Sequence, residues 1–219
     1  PLEESIKSDP FDFGAQSGIY IPSFRNTSAA NREKNFLRGY SLLGSVGRIE
    51  PGWFFMAIGE MLPRKENYVD LDPHKRDAWG IPVARITCTH SENEKAMIRD
   101  MQQTLADLAR DCGLRMDTLQ KESLLNRTVY KLASSLVYTP EGALVPGSAI
   151  HECGGAPMGD DPKKSVLNRF NQCWDAKNVL VTDSAAFTTA PFQNPGLTIM
   201  ALSARAGNFV ADQLQRGEW

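Results

Sequence analysis

The chain has 219 residues, 42% of them hydrophobic and 23% charged, with a formal net charge of −2. That length suits one sizeable domain or two small ones, and the composition is ordinary for a soluble globular protein. Scattered charge of both signs gives no reason to expect nucleic acid or an acidic membrane as a partner, and the longest apolar runs, such as 53–58, are too short to cross a bilayer.

Pro1-Leu2-Glu3-Glu4-Ser5 is acidic and polar, unlike a signal peptide, and Pro1 is not an initiator methionine, so a fragment of a longer chain is expected. Residues 18–24 alternate large apolar groups around Pro22 and predict an edge strand. A turn-rich connection over 25–34 leads to a second possible strand at 36–42. The aromatic run 53–61 predicts a central strand. Tyr68-Val69-Asp70-Leu71 reads as a short strand, 73–80 as a turn, and 82–88 as extended chain again.

A helix follows. Ser91 and Glu94 form an S-x-x-E capping box, Met97, Met101, Leu105, Leu108 and Cys112 share one face, and Gly113 sits at the expected left-handed stop. Its methionines read as core fillers. The stretch 114–147 yields no assignment, and 165–174 reads as a loop-rich connector. Asn178-Val179-Leu180-Val181-Thr182-Asp183 reads as an apolar strand ending on an acid. Residues 195–213 predict a second helix, whose small residues Ala201, Ser203, Ala204, Ala206 and Gly207 would permit close packing. Antiparallel-looking strands followed by a long helix predict an α+β layer rather than a wound βαβ domain. The four cysteines show no Cys-x-x-Cys spacing, so buried free thiols are expected and a metal site is not.

Two features suit the oxidation of an alcohol. His151 is a natural proton acceptor, since an imidazole titrates near working pH, and it precedes the flexible pair Gly154-Gly155. Asn194, 43 residues on, carries both donor and acceptor and can hold a hydroxyl. By position alone His151 reads more readily as a structural histidine, and Asn194-Pro195 as a helix start. His74 and His90 read as surface residues. No G-x-S-x-G elbow accompanies Ser184, which argues against a serine hydrolase.

The run His151-Glu152-Cys153-Gly154-Gly155-Ala156-Pro157-Met158-Gly159, the strand ending on Asp183 and the segment Gln193-Asn194-Pro195-Gly196-Leu197-Thr198 together resemble the C-terminal signature of the glucose-methanol-choline (GMC) family of flavoprotein oxidoreductases. The resemblance is strongest over 150–214. It implies that residues 1–150 are a substrate-binding domain, sheet plus helix 92–112. It further implies that 151–219 hold the active-site segment and the returning strand and helix of an α/β FAD-binding domain. The N-terminal FAD-binding half of such an enzyme is absent, in keeping with the lack of a G-x-G-x-x-G turn. Gly155, where the family more often has Thr, and the wording from Met158 to Asn168 look most like the bacterial branch of pyranose oxidases, glycoside 3-oxidases and gluconate or glucose dehydrogenases.

On that resemblance the base reading of His151 gains, with Asn194 orienting the hydroxyl and hydride passing to flavin N5. Asp183 and Ser184 would contact FAD, as would Pro195, Leu197 and Thr198 at the helix start, where the helix dipole meets developing negative charge. Phe192 and Gln193 would face substrate. The implied substrate is a sugar or glycoside alcohol, oxidised to a ketone. The implied partners are the N-terminal half of the same enzyme and small or cytochrome subunits. The alternative is a catalytically silent fragment that binds carbohydrate or assists assembly.

Overall fold

The computed structural model describes residues 15–27, 34–47, 53–114, 139, 142–148 and 151–218. Most of the unassigned stretch 114–147, and residues 149–150 just before His151, lie outside them. Strands β1 (Ala15–Thr27), β2 (Arg38–Gly47) and β3 (Trp53–Gly59) pair antiparallel in that order. Strands β4 (Tyr68–Arg76) and β5 (Pro82–Thr87) form a separate antiparallel hairpin. Helix α1 (Glu92–Asp111), a 3₁₀ turn at Ser184–Ala186 and helix α2 (Gly196–Arg216) complete the regular elements among the described residues. The fold is α+β, as the sequence predicts.

Details differ where pairing decides. The aromatic segment expected to be central, β3, borders the three-stranded sheet among the described residues, and β2 takes the middle. Aromatic richness reports burial on one face, which α1 provides for an outer strand as readily as for an inner one. β1 is an edge, as Pro22 suggests, and its register shifts between Ile21 and Arg25, where Pro22 cannot donate to the ladder. Ser41 therefore pairs with Ile58 on β3 but has no partner on β1. β4 extends to Arg76, so the turn shrinks to 77–80, where the Asp77 carboxylate accepts from the backbone of Trp79 and Ile81.

The core lies between the sheet and α1. Tyr40 and Leu42 project from one face of β2 and pack with Phe36 and Met97, flanked by Ala57, Met101 and Leu105. The expected apolar helix face is thus the packed one, except that Cys112, at the helix end, is exposed. The other cysteines are partly buried free thiols. Glu94 closes the capping box with Ser91 and also accepts from the backbone of Leu62, so the cap ties the helix to the chain leaving β3. Tyr40 donates its hydroxyl to Asp100 at 2.7 Å and lies 2.8 Å from Thr104. Asp100 also meets Arg25 and Lys34. No helix among the described residues is long and apolar enough to cross a membrane.

Two expectations about stability follow. Burial opposes ionisation of Asp100, but hydrogen bonds from Lys34 and Tyr40 and the nearby Arg25 charge more than offset it and hold the carboxyl below its usual range. Glu94 is likewise depressed, burial being outweighed by the bonds from Ser91, Leu62 and Asn93. With folded values below unfolded ones of about 4, this stability is present above pH ~4 and is lost as pH falls through the folded values. Urea midpoints measured across the acid range should fall accordingly, and Asp100→Asn should flatten the dependence. Tyr40→Phe removes the shared hydroxyl and should cost about 1–3 kcal/mol in the same assay at neutral pH.

Candidate active site

Beyond residue 151 the chain is largely irregular, and backbone hydrogen bonds rather than ladders hold it. The run after His151 lies against the turn that follows Asp183. Gly154, Ala156 and Met158 donate to the carbonyls of Ser184, Ala185 and Ala186 at 3.1, 2.9 and 3.0 Å. The Ser184 hydroxyl donates back to the Glu152 carbonyl. Gly154 has φ +81, a left-handed conformation that glycine adopts freely, and an added Cβ would lie 3.5 Å from the Phe187 carbonyl oxygen. His151 is half-buried and directly precedes this clamp. Its carbonyl accepts from the Cys153 thiol at 3.0 Å. Burial, with the Glu152 charge adding to it, pushes that thiol up, so it stays a donor.

Asp183 caps the 3₁₀ turn by accepting from the Ala185 amide at 2.7 Å. Residues 178–183, expected as a strand, leave a turn at Asn178 and form, among the described residues, only the isolated β-bridge between Gln172 and Leu180. Residues 171–173 lie alongside it, Val181 donating to the Asn171 carbonyl and Cys173 to the Val179 carbonyl, but the pairing is too short to grow into a ladder. Asn171 fastens this segment instead. Fully buried, with φ +65, it donates to the Val181 carbonyl at 2.8 Å, and its own carbonyl accepts from the Val181 amide. Asn is among the few side-chain-bearing residues that tolerate that backbone region.

Helix α2 docks on the same unit. Phe209 stacks on Phe170 with centroids 4.4 Å apart, Arg205 reaches Asn171 and the Met158 sulfur, and the Ser203 hydroxyl donates to the Thr182 carbonyl. Of the small residues expected to allow close packing, Ala206 is fully buried, while Ala201, Ala204 and Gly207 are exposed. The N-cap residue is Pro195, not Asn194, and it offers no side-chain bond. Proline has no capping group, so the first-turn amides, which lack intrahelical acceptors, are left to other partners. Nothing lies within 4 Å of a Cβ built on Gly196, and Leu197 is 80% exposed.

The structure thus brings the residues after His151 and the Asp183–Ser184 turn together through backbone bonds, and side chains of α2 pack the helix onto the same unit. Asn194 and Thr198 are exposed, Pro195 and Gln193 are half-buried, and Phe192, expected to face substrate, is buried. No hydrogen bond among the described residues joins the His151 ring to the Asn194 amide. Asn171 and Arg205 escape sequence reading, because nothing in their surroundings along the chain marks them as partners of Val181 and Met158.

The family model described as GMC oxidoreductase matches residues 63–203. The chain is 31% identical over 154 residues to 2-methyl-1,2-propanediol dehydrogenase of Mycolicibacterium austroafricanum, covering 70% of this chain and 24% of that protein. It is 28% identical over 152 residues to the gluconate 2-dehydrogenase flavoprotein of Pantoea cypripedii, covering 68% and 22%. To the fructose dehydrogenase large subunit of Gluconobacter japonicus it is 27% identical over 212 residues, covering 94% and 35%. The chain therefore spans between a fifth and about a third of the length of these relatives. With a match running through the hairpin, α1, the clamp after His151 and the start of α2, the chain belongs to the GMC oxidoreductase family.

Proposed function

We propose that the chain forms the substrate-side and C-terminal active-site part of an FAD-dependent enzyme that oxidises an alcohol group of a sugar or glycoside to a ketone. Residues 1–150 would serve substrate binding. Residues 151–219 would complete the cofactor site together with an FAD-binding part lying outside these 219 residues. The observation that carries the reading is the clamp of three backbone hydrogen bonds between 154–158 and 184–186. It ties the chain bearing the candidate base to the turn bearing the candidate cofactor acid.

The residues present fit a flavin. Asp183 offers an exposed carboxylate to hydroxyl groups, and the uncapped α2 terminus at Pro195, with Leu197 and Thr198 in its first turn, offers amides to an electron-rich carbonyl edge. Ser184 spends its hydroxyl on Glu152 and its carbonyl on Gly154, which leaves its backbone amide for any cofactor contact. FAD, when bound, supplies the hydride acceptor. His151 takes the hydroxyl proton, which raises the electron density on the alcohol oxygen and favours loss of hydride from its carbon. Asn194 holds that oxygen in one orientation, so that proton and hydride leave from a fixed geometry. Gln193, half-buried beside it, contributes to the substrate wall.

The names of the relatives support a polyhydroxylated substrate, two being sugar or sugar-acid dehydrogenases and one a diol dehydrogenase. A silent carbohydrate-binding or assembly fragment is the second reading, favoured by the exposed Leu197 and Met200 on α2. Purified protein without flavin absorbance would favour it.

The test is rapid mixing of the flavin-loaded enzyme with a donor panel: D-gluconate, D-fructose, a methyl glucoside and 2-methyl-1,2-propanediol. We expect flavin bleaching fastest with a sugar-type donor, and His151→Ala to slow it by roughly 10²–10⁴-fold. Equal reduction rates in wild type and His151→Ala would remove the base assignment, and preference for the diol would overturn the sugar assignment.

A further inference from the structure

We propose that Ser41 and Glu60 are positioning residues that set Asn194 from behind, by anchoring the loop 188–193 to the β-sheet. The inference rests on the role given to Asn194 above and adds the machinery that fixes it. Alternation along β2 sends Tyr40 and Leu42 toward α1 and Ser41 to the opposite face. The register shift around Pro22 leaves Ser41 without a β1 partner, so this face is free to receive another segment.

That segment is the loop leading to Asn194. The Ser41 hydroxyl, fully buried, donates to the Phe192 carbonyl at 2.7 Å across a separation of 151 residues. Tyr20, whose position on β1 pairs with Leu43, points its hydroxyl at the same carbonyl from 3.5 Å. Three residues earlier, Thr189 donates its hydroxyl to the Glu60 carboxylate. Glu60 is 6% exposed, follows β3 directly, and is compensated by Arg38, whose Nε lies 3.7 Å away. A buried carboxylate needs such partners, which makes its place over the loop costly to vary.

The anchoring reaches Asn194 with little slack. Pro191 and Pro195 have fixed φ, and Asn194, preceding a proline, is confined toward extended backbone. Only Gln193 and the torsions of Asn194 itself separate the held Phe192 carbonyl from the Asn194 amide. A carbonyl released by Ser41 would widen the range of Asn194 orientations without touching substrate or cofactor.

The test compares Ser41→Ala and, as a second variant, the isosteric Thr189→Val, in the flavin-loaded enzyme. Hydrogen–deuterium exchange of peptides spanning 188–195 should quicken by about tenfold or more while α1 peptides keep their protection. With the fastest donor of the panel, kcat should fall roughly 10- to 100-fold with a smaller change in KM. Because the anchors act through Asn194, Ser41→Ala should add almost nothing in an Asn194→Ala background. Unchanged exchange in both variants, or a Ser41→Ala loss of equal size with and without Asn194, overturns the inference. If Asn194→Ala itself leaves kcat intact, the proposed function loses its hydroxyl-orienting residue and the anchors lose their catalytic purpose with it. If wild type reduces with no donor, the proposed function fails, and exchange alone decides whether the anchors hold the loop.

Discussion

Side-chain alternation along one central strand sends Tyr40 and Leu42 into α1 and Ser41 into the carbonyl of Phe192. A strand with period two has two faces to bury, and β2 finds a different occupant for each. Helix α1, held by its own capping box and by Glu94 reaching to Leu62, closes the first face. The loop that ends on Asn194 closes the second. The site half of the chain is thus seated on a scaffold already fixed by a local helix and a short-range sheet.

The carboxylates buried wholly or partly in this scaffold are well supplied with donors. Asp100 gathers Tyr40, Arg25 and Lys34, Glu94 gathers donors from Ser91, Leu62 and Asn93, and Glu60 gathers Thr189 and Arg38. Each carboxylate joins segments distant in sequence, so each costs desolvation and returns it as geometry. The same pattern recurs with neutral groups in the second half. Asn171 and Ser184 hold by hydrogen bonds what would otherwise be a loose passage of irregular chain.

The distribution of apolar surface also separates the two halves of the site. The faces between sheet and α1 are covered, whereas Leu197 and Met200 at the start of α2, and Val69, Leu71, Trp79 and Ile86 on the hairpin, are open. The proposed chemistry draws on this openness at α2, where the uncapped helix start leaves room and amides for an electron-rich group.

Local rules determined much of this protein from the amino-acid string alone. The capping box, the apolar stripe of α1, the glycine stop at Gly113, the edge character of β1 and the α+β class are short-range effects, written within a few residues of where they act. The motif around His151 and the interval to Asn194 were legible as well, since they carry a family signature. Tertiary structure alone decided that β2 and not β3 is central, that 178–183 is a bridged segment rather than a strand, that α2 starts without a side-chain cap, and that Phe192 is buried. It also decided that Ser41, Glu60 and Asn171 hold the site-bearing loops. Those outcomes depend on which remote backbone groups happen to meet, and a lone serine or asparagine carries no local mark of a partner many residues away.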